Sequence, residues 1–172
     1  MPYLLNRKME RKAFKFTFRE ITWLVFLMYA CILIKMILFK RPPTYYYRHF
    51  LYNLDWDMIR ANYRRANLVP FKTIMLFINS RLSMRDIVGN LLGNILGFVP
   101  FGILIPMLFP SYATLRSIML SAFIVSLVFE ILQLVAVLGS FDVDDLLLNT
   151  IGAVLGFYIF FLDRKKKYPT LS

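Results

Sequence analysis

Four stretches of this chain are each long and apolar enough to cross a bilayer, which takes roughly 20 residues of helix. They run from Ile21 to Phe39, Val88 to Phe109, Ser117 to Leu138 and Leu146 to Leu162. The sequence therefore predicts an all-α integral membrane protein, a bundle of about four transmembrane helices. Composition points the same way: at 172 residues and 59% hydrophobic, the chain has more apolar residues than one small soluble core could bury. The same excess excludes disorder. Cys31 stands alone, so there is no disulfide framework, and one Cys with one His cannot make a zinc site of about four such ligands.

Charge sets the expected orientation. Residues 1–20 carry Arg7, Lys8, Arg11, Lys12, Lys15 and Arg19, and residues 163–172 carry Arg164, Lys165, Lys166 and Lys167. The positive-inside rule places both ends in the cytoplasm of a multi-pass protein of the cell membrane. Four spans satisfy that parity, with a short inner loop around Pro110 to Arg116 and a short outer loop from Gly139 to Asp145. The first span has charge on both sides and no small-residue cleavage site after it, and is expected to stay as an anchor. Nucleic-acid binding is set aside, because these basic residues lie next to spans, where the membrane already accounts for them.

The connection over residues 40–87 runs against the rule, since it lies outside yet holds nine basic residues, among them Arg60, Arg64, Arg65, Arg81 and Arg85. Long loops obey the rule less strictly. Its apolar patch from Leu68 to Ile78 contains Lys72 and is shorter than the roughly 17 residues a span requires. It reads as an interfacial or re-entrant element entering at the Val69-Pro70 turn. Tyr45, Tyr46, Tyr47 and Trp56 suit the headgroup zone.

Small residues suggest how the helices pack. Gly89, Gly93 and Gly97 recur every four residues in the second span, as do Gly152 and Gly156 in the fourth. Helices two and four are thus expected to form the tight pair. Pro100 and Pro106 are expected to kink or divide the second span.

Polar groups inside spans are costly, so their positions are informative. The second span has Asn90 and Asn94, the third Glu130 and Gln133, and the fourth opens with Asp142, Asp144 and Asp145 and continues to Asn149. At about 1.5 Å per residue, Asn94, Glu130 and Asn149 lie some 9, 12 and 6 Å below the outer ends of their helices. Asn90/Asn94 and Asp145/Asn149 are four apart and Glu130/Gln133 three apart, so each pair shares a helix face. Three helices can aim these faces at one outward-opening pocket. Interhelical hydrogen bonding is the plainer role for the amides. Glu130 needs more: a proton, or water and an arginine from the outer segment. Helix capping accounts for one of the three aspartates, Asp144 or Asp145. The cluster of Asp142, Asp144 and Asp145 could also hold a hard divalent cation such as Mg²⁺ or Ca²⁺, although no cofactor is required.

Four blocks in order resemble the VanZ-like family. They are Asn67-Leu68-Val69-Pro70-Phe71, Gly93-Asn94-Ile95-Leu96-Gly97-Phe98-Val99-Pro100-Phe101-Gly102, Ser126-Leu127-Val128-Phe129-Glu130-Ile131-Leu132-Gln133, and Phe141-Asp142-Val143-Asp144-Asp145 through Asn149-Thr150-Ile151-Gly152. The resemblance covers a VanZ-like domain of residues 67–160 and adds Asn67 to the pocket set of Asn94, Glu130, Gln133, Asp142, Asp145 and Asn149. Some members carry an arginine where this chain has Ser140.

The resemblance implies a cell-envelope protein of the kind found in Gram-positive bacteria and associated with low-level resistance to teicoplanin-type glycopeptides. Expected partners are membrane lipid, a lipid-linked wall precursor or a lipoglycopeptide, held in the pocket without catalysis. The alternative is an enzyme acting on a lipid or lipid-linked phosphate, with Glu130 as acid or base and the aspartates as metal ligands. His49 is the one histidine and lies outside the blocks, which excludes a histidine-nucleophile phosphatase. A transporter with Glu130 as its intramembrane carboxyl is disfavoured, because the chain has four spans and no inverted repeat, unless it oligomerises.

Overall fold

In the computed structural model residues 2–79 and 84–167 are described, with side chains over 17–52, 54–76 and 91–164. Arg81 falls outside the described residues, and Gly89, Asn90, Arg85 and most of the terminal basic residues fall outside those with described side chains. Among the described residues seven α-helices follow in order: α1 (Pro2–Leu38), α2 (Pro43–Arg48), α3 (Trp56–Arg64), α4 (Lys72–Asn79), α5 (Met84–Leu108), α6 (Leu115–Val135) and α7 (Val143–Lys167). Four contain segments long and apolar enough to cross a membrane, at Thr17–Leu38, Leu91–Leu108, Leu115–Val135 and Val143–Arg164. The expected four-helix membrane bundle is present. The short helices α2, α3 and α4 lie between the first and second spans, and the chain turns at Val69-Pro70, where Lys72 N–H donates to Val69 O at 3.3 Å.

Helices α5 and α7 form the closest pair, and they run parallel. A Cβ on Gly152 would stand 2.1 Å from Ile95 O, one on Gly156 2.0 Å from Val99 O, and one on Gly102 1.9 Å from Ala153 O. The two backbones touch only because these three positions lack a side chain. The α5 side of this contact differs from the expected stripe. Gly93 has nothing within 4 Å and Gly97 meets only a Leu33 methyl at 3.7 Å, so both lie on another face of α5. Pro100 and Pro106 sit inside α5 without dividing it.

Phe98 and Phe101 of α5, Ile118 and Ala122 of α6, and Ala153 and Phe157 of α7 make the core, closed by Leu33 of α1. Thr114 caps α6, its side chain accepting Ser117 N–H at 3.2 Å. At the other end of α6, Val137 takes a left-handed conformation (φ 54°) while Leu138 N–H returns to Gln133 O at 3.0 Å. This is the hydrogen bonding of a Schellman stop with valine where glycine is usual. Helix α1 is held more sparsely. Tyr29 donates to Gly97 O at 2.8 Å, and Gln133 Nε2 donates to Ile37 O at 2.9 Å.

The segment between α1 and α4 folds over the α6–α7 turn. Asn62 of α3 is buried and its Nδ2 donates to Leu134 O at 3.0 Å and Gly139 O at 2.7 Å, serving carbonyls at the end of α6. His49, also buried, donates through Nε2 to Ala136 O at 2.8 Å and stacks on Tyr45. Those two side chains fasten the connection to the bundle.

Candidate functional site

The seven predicted site residues divide into two adjoining groups. Asn94 of α5, Glu130 and Gln133 of α6, and Asp145 and Asn149 of α7 line a single cavity of about 140 Å³. Asn94 Nδ2 donates to Asp145 Oδ1 at 2.5 Å, and Asn149 Nδ2 to Ser126 Oγ at 2.8 Å. Glu130, nearly fully buried, accepts Asp142 N–H on Oε2 at 2.8 Å. Asn149 Oδ1 is buried without a hydrogen-bond partner. The Glu130/Gln133 and Asp145/Asn149 pairs meet Asn94 at this one cavity, because α5 and α7 run parallel with α6 beside them.

Asn67 and Asp142 form the second group, next to the cavity rather than on its wall. Asn67 N–H donates to Phe141 O at 2.8 Å and Val143 N–H to Asn67 O at 3.0 Å, a one-residue parallel β-bridge. Asn67 Nδ2 adds a bond to Asp142 Oδ1 at 2.9 Å. Thr73 Oγ donates to the other Asp142 oxygen at 2.6 Å. Asp142 also accepts Asp144 N–H on Oδ1 at 2.9 Å, and so it caps α7. Capping was expected of Asp144 or Asp145. Asp142 takes it because it precedes the first helical residue, where a side chain can fold back on the free N–H groups.

Asp144 caps a different helix. It is fully buried, and its carboxylate accepts Phe71 N–H at 2.5 Å, Thr73 N–H at 2.8 Å and Ile74 N–H at 3.2 Å, all from the start of α4. The positive end of a helix and three N–H donors satisfy a carboxylate in place of water. The three aspartates therefore face three ways: Asp142 to Asn67 and Thr73, Asp144 to α4, Asp145 to Asn94. Among the described residues no three His, Cys, Asp or Glu side chains are grouped to hold a metal ion.

The rest of the lining carried weaker signals in the sequence. Leu33, Met36 and Ile37 of α1 form an apolar wall, and Gly93, Gly97 and Phe98 complete the α5 side. Lys40, just past the end of α1, lines the cavity too, close enough to act electrostatically on Glu130 and Asp145. The sequence offers Glu130 either a proton or water with an arginine of the outer segment; among the described residues the basic side chain at this cavity is Lys40. Span parity was the available clue, since it puts the end of α1 on the same side as the α6–α7 turn. Gly93 and Gly97 keep space open at this cavity instead of packing helix on helix.

Comparison with known proteins gives a consistent family. The sequence model described as VanZ/LLP1 matches residues 26–164, beginning inside α1 and taking in all four spans at least in part. Protein VanZ of Enterococcus faecium is 29% identical over 118 residues, 67% of this chain and 66% of that protein. The chain thus spans just under two thirds of the length of that curated relative. No solved structure matches it.

Proposed function

Because the chain belongs to the VanZ/LLP1 family, we propose that it is a non-enzymatic multi-pass protein of the bacterial cell membrane that lowers susceptibility to teicoplanin-type glycopeptides. Its cavity, facing outward, engages a lipid headgroup, a wall precursor or the drug's lipid tail, and both termini lie in the cytoplasm. The observation that carries this reading is the cavity itself, which sets two carboxylates and three amides against an apolar wall. A lipid-linked ligand has the same two-sided character. Size limits what enters: about 140 Å³ takes a small group, not a glycopeptide core.

The enzymatic alternative is less well supported. It assigns metal binding to the aspartates, and Asp142 and Asp144 are engaged by helix N–H groups, Asn67 and Thr73.

The test is teicoplanin susceptibility of a sensitive Gram-positive host expressing the wild type, Glu130→Ala or Asp145→Ala at matched membrane levels. The expected result is protection by the wild type and loss of it in both variants. No protection by the wild type defeats the resistance role. Equal protection by all three reduces the cavity to structural packing.

A further inference from the structure

Two carboxylates and a residue with an unpartnered amide oxygen line this cavity, and from them we infer that it takes a primary ammonium group of a membrane amphiphile, with the neighbouring phosphate on Lys40. This rests on the pocket reading above. Glu130 and Asp145 line one small space, each accepting one protein donor, Asp142 N–H and Asn94 Nδ2. Neither makes an ion pair among the described residues. The third acceptor is independent of the carboxylates. Asn149 is 4% exposed, its Nδ2 is engaged by Ser126, and its Oδ1 is buried with no donor. Such an orphaned acceptor calls for a donor from outside the chain.

A primary ammonium offers three N–H donors and one positive charge, which suits three acceptors of which two are carboxylates. A hydroxyl brings one donor and no charge. A trimethylammonium brings no donor and is held by cages of aromatic rings; among the described residues Phe98 is the one aromatic residue lining this cavity. The volume admits an aminoalkyl fragment and leaves a phosphate attached to it at the rim, where Lys40 is exposed. Leu33, Met36 and Ile37 then continue as an apolar surface toward the acyl chains. Two membrane sources carry this ammonium beside a phosphate: ethanolamine phospholipids and aminoacylated phosphatidylglycerol.

The experiment reconstitutes the full chain in phosphatidylglycerol nanodiscs. These are supplemented at equal mole fraction with phosphatidylethanolamine, lysyl-phosphatidylglycerol or phosphatidylcholine, and native mass spectrometry counts the retained lipid. At least one amine lipid should be retained about tenfold or more over the choline lipid, and whichever is retained identifies the source. Glu130→Gln and Asp145→Asn should each reduce that preference about tenfold, and Lys40→Ala several-fold. Gly93→Leu, which fills open space, should abolish it in a chain that still folds. Equal retention of amine and choline lipids, or a preference unchanged in Glu130→Gln and Gly93→Leu, overturns the inference. If that happens while Glu130→Ala still removes teicoplanin protection, the ammonium chemistry falls and the pocket reading stands. If Glu130→Ala protects as well as the wild type, the pocket reading falls as well.

Discussion

Asn67 and Asp142, 75 positions apart in the chain, are joined twice, by a backbone bridge and by a side-chain hydrogen bond of 2.9 Å. The same Asp142 caps α7 and, through its N–H, holds Glu130. One residue therefore ties the connecting segment, the last span and the cavity's buried carboxylate into a single unit, and disturbing it reaches all three.

Asp144 should prove a stability residue rather than a pocket residue. Asp144→Ala leaves the first N–H groups of α4 without their acceptor in a buried site. The expected loss is about 2–4 kcal/mol, with Asp144→Asn intermediate because one oxygen remains. Thermal unfolding in detergent measures it, and faster amide exchange confined first to α4 marks the cause.

Glycines inside and outside the α5–α7 contact should separate cleanly. Gly152→Ala and Gly156→Ala drive a methyl into backbone carbonyls of α5 and should destabilise by about 1–3 kcal/mol or more. Gly93→Ala meets nothing and, with its better helix propensity, should be neutral or stabilising by up to about 1 kcal/mol. Equal losses at all three sites would contradict the parallel α5–α7 contact.

Removing the Asn62 amide should loosen the connecting segment while leaving the spans in place. Asn62→Ala strands carbonyls at the end of α6, a cost of about 1–3 kcal/mol. Limited proteolysis is the direct readout, with new cleavage in residues 49–66 of folded protein. A cleavage pattern identical to wild type would mean that α3 is fastened by other contacts.

Orientation can be read with single cysteines in a Cys31→Ser background. Tyr47 and Tyr112 are both well exposed and lie at opposite ends of the bundle. A membrane-impermeant maleimide added to intact cells should label Tyr47→Cys and spare Tyr112→Cys until the cells are opened. The reverse pattern would turn the cavity toward the cytoplasm.

The four spans were legible because apolar length is a property of local sequence, and Asn94, Glu130 and Asn149 were found because polar groups stand out in such stretches. The convergence of their faces followed from helical spacing. What escaped was contact between distant segments. Nothing near Asp144 indicates that its carboxylate serves the N–H groups of Phe71 and Thr73, and nothing near Asn62 indicates carbonyls at positions 134 and 139. Gly93 and Gly97 repeat every four residues as a packing stripe would, but periodicity gives a shared face and does not say what that face meets. Gly102, outside the stripe, makes the contact instead.

The bridge between Asn67 and Asp142 also constrains how the protein is made. A ribosome emits α4 long before Asp142 and Asp144 exist, so during synthesis the N–H groups at the start of α4 have only water and headgroups as acceptors. The junction can close only once the last span has been delivered. Assembly of this end of the molecule therefore waits on α7, and a chain truncated before residue 142 would insert its first three spans yet never complete the cavity.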